Sequence, residues 1–356
     1  MQFRSSLLSR PAQLALAALA LTGASFGQAT QQGTTLTVLG SQGGDVMSIR
    51  FLEFPGEVEV FGVPGTPDGA LFTGVTKLDL KTLAGTDIID LQVLSAIVPE
   101  LLVDTGLGES QVGVVFNVPS SLALVSSVAT ITGGPDKDTV LLDVTTSSAN
   151  VALNWAVAAG DGPNETNVKY STNVGGGSTL LNWRYTGGAQ EDKVLLDLVS
   201  AADSIGVGAL VNTGSANDEF LVKVSGDGNT TAALSVLGRL GAGGDTALVD
   251  VTNVGQTIVR GGIDAGEGND TIEYITSSSL RGSPVLFGAS GNDTLKFTVN
   301  GSLLAGSQPR IIAGDGNDDV SMLVWGSLLG SPFSDGGAGF DYFQGVGTRV
   351  NFEEIN

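Results

Sequence analysis

The chain has 356 residues, with 37 acidic and 16 basic side chains, no His, no Cys and a net charge of −21. So few Lys and Arg argue against nucleic acid and anionic membrane surfaces as partners, and the lack of His and Cys removes the Ser-His-Asp and Cys-His triads, the usual zinc sites and any disulfide framework. Apolar residues make up 42%, enough for a core, but only 6% of residues are aromatic, so that core is aliphatic.

Residues 1–29 read as a secretory signal. Arg4 and Arg10 supply a positive start, Leu14–Leu21 an apolar run, and small residues around Gly27 and Ala29 two cleavage positions. The apolar run is too short to span a bilayer comfortably, and no later segment has the ~20 uninterrupted apolar residues that a span requires. The expected location is therefore secreted or cell-surface. Residues 30–75, with Pro55, Pro64 and Pro67 among Gly, read as an N-terminal capping region.

From there the chain repeats. A Gly-rich turn closed by an acid recurs at Asp138, Glu165, Asp192, Asp218, Asp245, Asp270, Asp293, Asp318 and Asp341, at spacings of 23 to 27 residues. Weaker members are Asp45, Asp87 and Ser110, and the step of 42 between the first two fits two short coils. Positions two, four and six beyond the turn are apolar, as in Val140, Leu142, Val144 and Val194, Leu196, Leu198. That alternation marks a strand with one buried face. The coil after Glu165 breaks the pattern with Asn167, Lys169 and Ser171, which predicts a one-residue slip or bulge.

A second apolar stretch follows in each coil, as in 151–157 and 179–185, where Asn154-Trp155 and Asn182-Trp183 lie 28 residues apart. Stacking of equivalent residues predicts an Asn ladder beside an aromatic pair; the functional alternative is a Trp platform for carbohydrate. Pro284, Pro309 and Pro332 mark a corner in each of the last coils. The fold class is all-β, a parallel β-solenoid (β-helix) of about a dozen coils over residues 76–344, with a C-terminal cap over 345–356 that includes Val350 and Phe352 as inward anchors.

The last turns carry a further pattern. Residues 336–344 (GGAGFDYFQ) fit Gly-Gly-x-Gly-x-Asp-x-apolar-x throughout; 313–321 and 265–273 miss only the first Gly, and 288–296 misses the second. This resembles the hemolysin-type (RTX) calcium-binding nonapeptide. The resemblance implies calcium held between stacked turns, by Gly266, Gly268 and Asp270, by Asp293, by Gly314, Gly316 and Asp318, and by Gly337, Gly339 and Asp341. That family repeats every nine residues, whereas here the motif occurs once per coil, so only one edge would carry metal. A ladder of Gly-Asn-Asp turns held by side-chain-to-backbone bonds, without an ion, uses the same residues.

Two outward rows complete the picture. Five residues past the turn stand Asp143, Tyr170, Asp197, Lys223 and Asp250, either a catalytic Asp-Lys-Asp row or an ordinary cross-strand charge ladder. Three past the turn stand Leu141, Leu195, Leu221 and Leu248, a stripe suited to self-association or a surface partner. The sequence points to a structural or adhesive surface element rather than an enzyme. The alternative is a carbohydrate-active or polysaccharide-binding β-helix.

Overall fold

The structure is a computed structural model that describes residues 27–355, apart from 96–98, 119–124, 147–149 and 173–174. The expected signal segment lies outside the described residues except for 27–29, of which Gln28 and Ala29 already belong to the first strand. Strands alone build the chain; no helix occurs among the described residues.

Each coil contributes one strand to each of two 15-stranded sheets. Asp138–Thr146 runs in one sheet, Asn150–Ala158 in the other, Glu165–Thr172 in the first again, and so on. We call the sheet that contains Asn150–Ala158 the front sheet and the other the back sheet. Successive strands pair in parallel and in register, so equivalent residues of every coil stack in columns.

The inner faces of the two sheets make one continuous core from Leu36 to Phe343. Inward and outward residues alternate as expected: Val140, Leu142 and Val144 are buried, as are Val151, Leu153, Trp155 and Val157. Short β-branched and Leu side chains suit this space because each must pack on its own equivalent one strand spacing away. The prolines sit where expected, just ahead of front-sheet strands, with their carbonyls taking the N–H of Arg310, Phe333 and Thr348 in the next coil.

The solenoid has about ten turns, slightly fewer than the dozen coils expected, because both ends are finished by other structure. At the start, Gln28–Gln32 pairs antiparallel with Thr35–Leu39, and Val46–Phe51, Val58–Phe61 and Ala70–Phe72 form an antiparallel meander. That meander corrects the reading of the 42-residue step: Asp45 and Asp87 are direct neighbours, and the extra residues are an insertion within one coil, not a second coil. At the far end Phe352 packs on Phe343 with ring centres 5.0 Å apart, whereas Val350 is 40% exposed and anchors nothing.

The coil at 164 also differs from expectation. Its turn is closed by Asn164, not Glu165, which places Thr166, Val168 and Tyr170 inward without any bulge. An amide, and not the acid beside it, holds the column position in this coil. The face assignment predicts that Leu196→Ala, at a fully buried site, costs about 2–5 kcal/mol, while Leu195→Ala next to it costs under about 0.5 kcal/mol in the monomer. Chemical denaturation midpoints of the two variants check it.

Candidate functional site

The Gly-x-Gly-Asn-Asp turns connect the front sheet to the back sheet, and every residue of the motif has a stacking role. Gly266 and Gly268 take φ of +103° and +136°, Gly314 and Gly316 +114° and +149°, and Gly337 and Gly339 +94° and +143°. Positive φ is one reason for glycine here. Close approach is the other. A Cβ on Gly268 would lie 1.5 Å from the carbonyl oxygen of Gly243 in the coil before, and one on Gly339 1.5 Å from that of Gly316. The turn carbonyls therefore point along the stack onto the next glycine. In some coils a Gly five residues before the Asp makes room for the carboxyl: a Cβ on Gly288 would meet Asp293 Oδ2 at 2.3 Å, and one on Gly336 would meet Asp341 Oδ2 at 2.7 Å.

The closing Asp residues face inward and stack, each at most 3% exposed from Asp138 to Asp341. The backbone N–H of one member donates to Oδ1 of the next: Asp192 to Asp218 at 2.7 Å, Asp218 to Asp245 at 2.7 Å, Asp245 to Asp270 at 2.7 Å. The run continues from Asp270 to Asp293 at 2.9 Å, Asp293 to Asp318 at 2.8 Å and Asp318 to Asp341 at 2.9 Å. Asn164 belongs to the same column, accepting from Asp138 and donating its N–H to Asp192 Oδ1. Ser110 takes the column position between Asp87 and Asp138, as expected, but its shorter side chain does not reach, and Asp87 N–H turns to the Glu109 carbonyl instead.

Both ends of this inner ladder are capped. Asp45, with no coil before it, receives the N–H and hydroxyl of Ser41, and the N–H of Asp341 goes to Glu353 Oε2 at 2.8 Å. A second ladder of opposite direction runs outside it, one residue earlier. Asn269 Oδ1 accepts the N–H of Asn292, Asn292 that of Asn317, and Asn317 that of Phe340.

The second carboxylate oxygen is the unusual feature. Oδ2 of Asp87, Asp218, Asp245, Asp270, Asp293, Asp318 and Asp341 is buried without a hydrogen bond, whereas Asp138 and Asp192 receive an N–H from Gly134 and Gly188. Burial pushes the carboxyls of Asp138, Asp192, Asp245, Asp293 and Asp318 up to about 6; turn N–H bonds oppose this, and neighbouring acids reinforce it. Asp87, Asp218, Asp270 and Asp341 move in the same direction for the same first cause.

These donors do not fit the calcium implied by the nonapeptide resemblance. Calcium takes 6–8 oxygens at about 2.3–2.6 Å. Here Asp270, Asp293, Asp318 and Asp341 each commit Oδ1 to the ladder and turn into the core, while the carbonyls at Gly268, Gly291, Gly314 and Gly316 abut the next glycine. No cluster of three or more acids able to hold a metal occurs among the described residues. The turn residues Gly266, Gly268, Gly314, Gly316, Gly337 and Gly339 thus serve stacking.

The other sequence-derived candidates separate. Asn154 and Asn182 form the expected ladder, with Asn182 Nδ2 donating to Asn154 Oδ1 at 2.7 Å on the outside. Trp155 and Trp183 are inside, each 2% exposed, so they offer no carbohydrate platform. Above them the front sheet carries a shallow groove of about 580 Å³ lined by Val128, Asn154, Asn182, Arg184, Leu210 and Leu237. On the back sheet the Asp197–Lys223–Asp250 row lies on an open strand face, away from that groove. The place given to Tyr170 in this row belongs to Lys169, because Asn164 sets the register. No family description fits the chain: neither a family model, nor a curated protein, nor a solved structure matches it.

The column has a pH consequence. An Asp whose folded pKa lies above its unfolded value near 3.8 binds its proton more tightly when folded, so its stabilisation is complete below that value and is lost as pH rises through about 6. The unfolding midpoint is expected to rise on acidification from about pH 7.5 to about 5, opposite to ordinary acid lability. Asn164 shows what a donor does here, its Nδ2 reaching the carbonyls of Gly160 and Gly162. Asp293→Asn with Asp318→Asn should therefore flatten the pH response and raise the midpoint at neutral pH. Asp293→Leu, which leaves the N–H of Asp270 unpaired, should cost about 1–3 kcal/mol. Thermal melts across pH check all three.

Proposed function

We propose that the chain is an exported structural or adhesive element, a stiff acidic rod whose coils are locked by side-chain ladders. The observation that carries this reading is the inner ladder itself, running with its caps from Ser41 to Glu353, with an interruption at Ser110, beside one continuous core. Such a device suits a protein whose work is to hold a shape. Export rests on the Arg4–Ala29 segment, and an exported chain without cysteine takes its stability from packing and repeats. High negative charge keeps such rods soluble and apart from anionic surfaces. Antibody labelling of intact against permeabilised cells tests the reading: signal on intact cells or in the medium is expected, and retention in the cytoplasm would overturn it.

The hydrogen-bonded ladder makes calcium unnecessary for stiffness. Hydrogen exchange across residues 262–344 should be the same in millimolar calcium and in chelator. Calcium-dependent protection confined to that stretch would restore the ion to the turns. The carbohydrate reading, without its Trp platform, retains only the front-sheet groove beside Asn182 and Arg184.

A further inference from the structure

The back sheet presents a charge pattern that is complementary to itself. Three outward rows run up this face between the strands Asp138–Thr146 and Thr246–Thr252. In the row one residue past the turn, Glu165, Lys193 and Glu219 stack on one another. In the row four residues further on, Asp143, Lys169, Asp197, Lys223 and Asp250 stack in the same way. Midway between them runs Leu141, Asn167, Leu195, Leu221 and Leu248.

Signs alternate along each outer row and also across the three middle strands: Glu165 with Lys169, Lys193 with Asp197, Glu219 with Lys223, while Asp143 and Asp250 at the edges stand across from Thr139 and Thr246. The pattern is thus reversed by reflection through the Leu row. Lys169 and Lys223 make no ion pair within 4.0 Å among the described residues, and Lys193 pairs only with exposed Glu191. The Leu side chains are partly exposed, and the Oδ1 of Asn167 among them is buried without a hydrogen bond.

We propose that this face binds a second copy of the chain about a two-fold axis that runs along the stack beneath the Leu row. Such an axis keeps each coil level with its equivalent and exchanges the outer rows. Glu165 then faces Lys169 of the copy, Lys193 faces Asp197, and Glu219 faces Lys223, each twice by symmetry. Leu141, Leu195, Leu221 and Leu248 each meet themselves, and Asn167 meets its own amide. A two-fold axis across the stack can also match the charges, but it sets Asn167 against Leu195 or Leu248, according to its level, instead of against its own amide, so the along-stack axis is the better fit.

Five coil levels about 4.8 Å apart and strands about 20 Å long give roughly 500 Å² on each partner, the size of a weak, reversible dimer. Among so many acids, the placement of Lys169, Lys193 and Lys223 on three successive coils of one face, in alternating rows, is what makes pairing possible. This deepens the reading of the chain as a structural rod by naming its assembly surface. A monomer would sink the interface and leave the rod standing.

Light scattering and sedimentation of the purified protein from about 1 to 200 µM test it. A dimer is expected at low salt, weakened about tenfold at 0.5 M salt. Lys169→Glu with Lys223→Glu should weaken it by at least about 30-fold, through like charges facing each other. Adding Glu165→Lys and Glu219→Lys to that variant should restore it, because those residues face the changed positions only under the along-stack axis. With Leu221→Cys as the sole thiol, a short bis-maleimide should link two chains, whereas Leu237→Cys on the front sheet should give none. Leu195→Glu with Leu221→Glu should leave a folded monomer by circular dichroism; if that variant unfolds, the charge exchange decides. A monomer at 200 µM in low salt, a dimer indifferent to the Lys changes, or failure of the charge exchange to restore pairing would overturn the proposal.

Discussion

The bond on which the rest of this molecule depends joins a backbone N–H in one coil to a carboxylate oxygen in the next. Where the chain leaves the front sheet and enters the back sheet, the N–H of the turn-closing residue is buried and, from Asp138 to Asp318, is taken by a side chain of the next coil and not by a strand carbonyl. An unpaired buried N–H costs about as much as a lost hydrogen bond. Oδ1 of the following Asp supplies the missing acceptor, coil after coil. For it to do so the turns must stack as closely as the strands do. Glycines whose Cα atoms sit against a carbonyl of the preceding coil achieve that.

This arrangement carries a charge cost. A carboxylate with one oxygen hydrogen-bonded and the other buried without a partner is poorly solvated, and its neighbours in the column repel it. What the column secures is register. A strand displaced by one residue would carry its carboxylate out of the column and would turn its inward face out. Asn164 marks the neutral solution to the same problem, keeping the acceptor and adding a donor that reaches the turn carbonyls.

A stack of coils must also end, since an open terminal coil invites another chain to add to it. The antiparallel meander over residues 46–72 covers one side of the first coil. At the last coil Glu353 completes the inner ladder, and Phe340 replaces Asn at the one level where no further coil needs an acceptor. Outside, where water screens charge, the same periodicity that aligns acids inside the turn column sets unlike charges on neighbouring strands of the back sheet.

Much of this was legible from residue order alone. The period, the in-out alternation of Val140, Leu142 and Val144, the Asn154–Asn182 ladder and the proline corners follow from local rules, because a strand's two faces and a turn's glycines are set within a few residues. What depended on the neighbouring coil was not legible. The Gly-x-Gly-x-Asp pattern specifies a tight turn but not whether its carboxylate faces a cation or the backbone one coil away. Only stacking decides that, by placing an unpaired N–H within 2.7–2.9 Å of Oδ1. Asn164 hid for the same reason: acceptor geometry, not charge, qualifies a residue for the column. With Asn164 in the column, Lys169 faces outward and Tyr170 inward. Likewise, a Trp in alternating sequence fits either face until the register of its strand against the opposite sheet is known. Sequence alone determined the repeat and its turns; the tertiary structure decided which way each polar group points, because that is set by contacts a full coil distant in the chain.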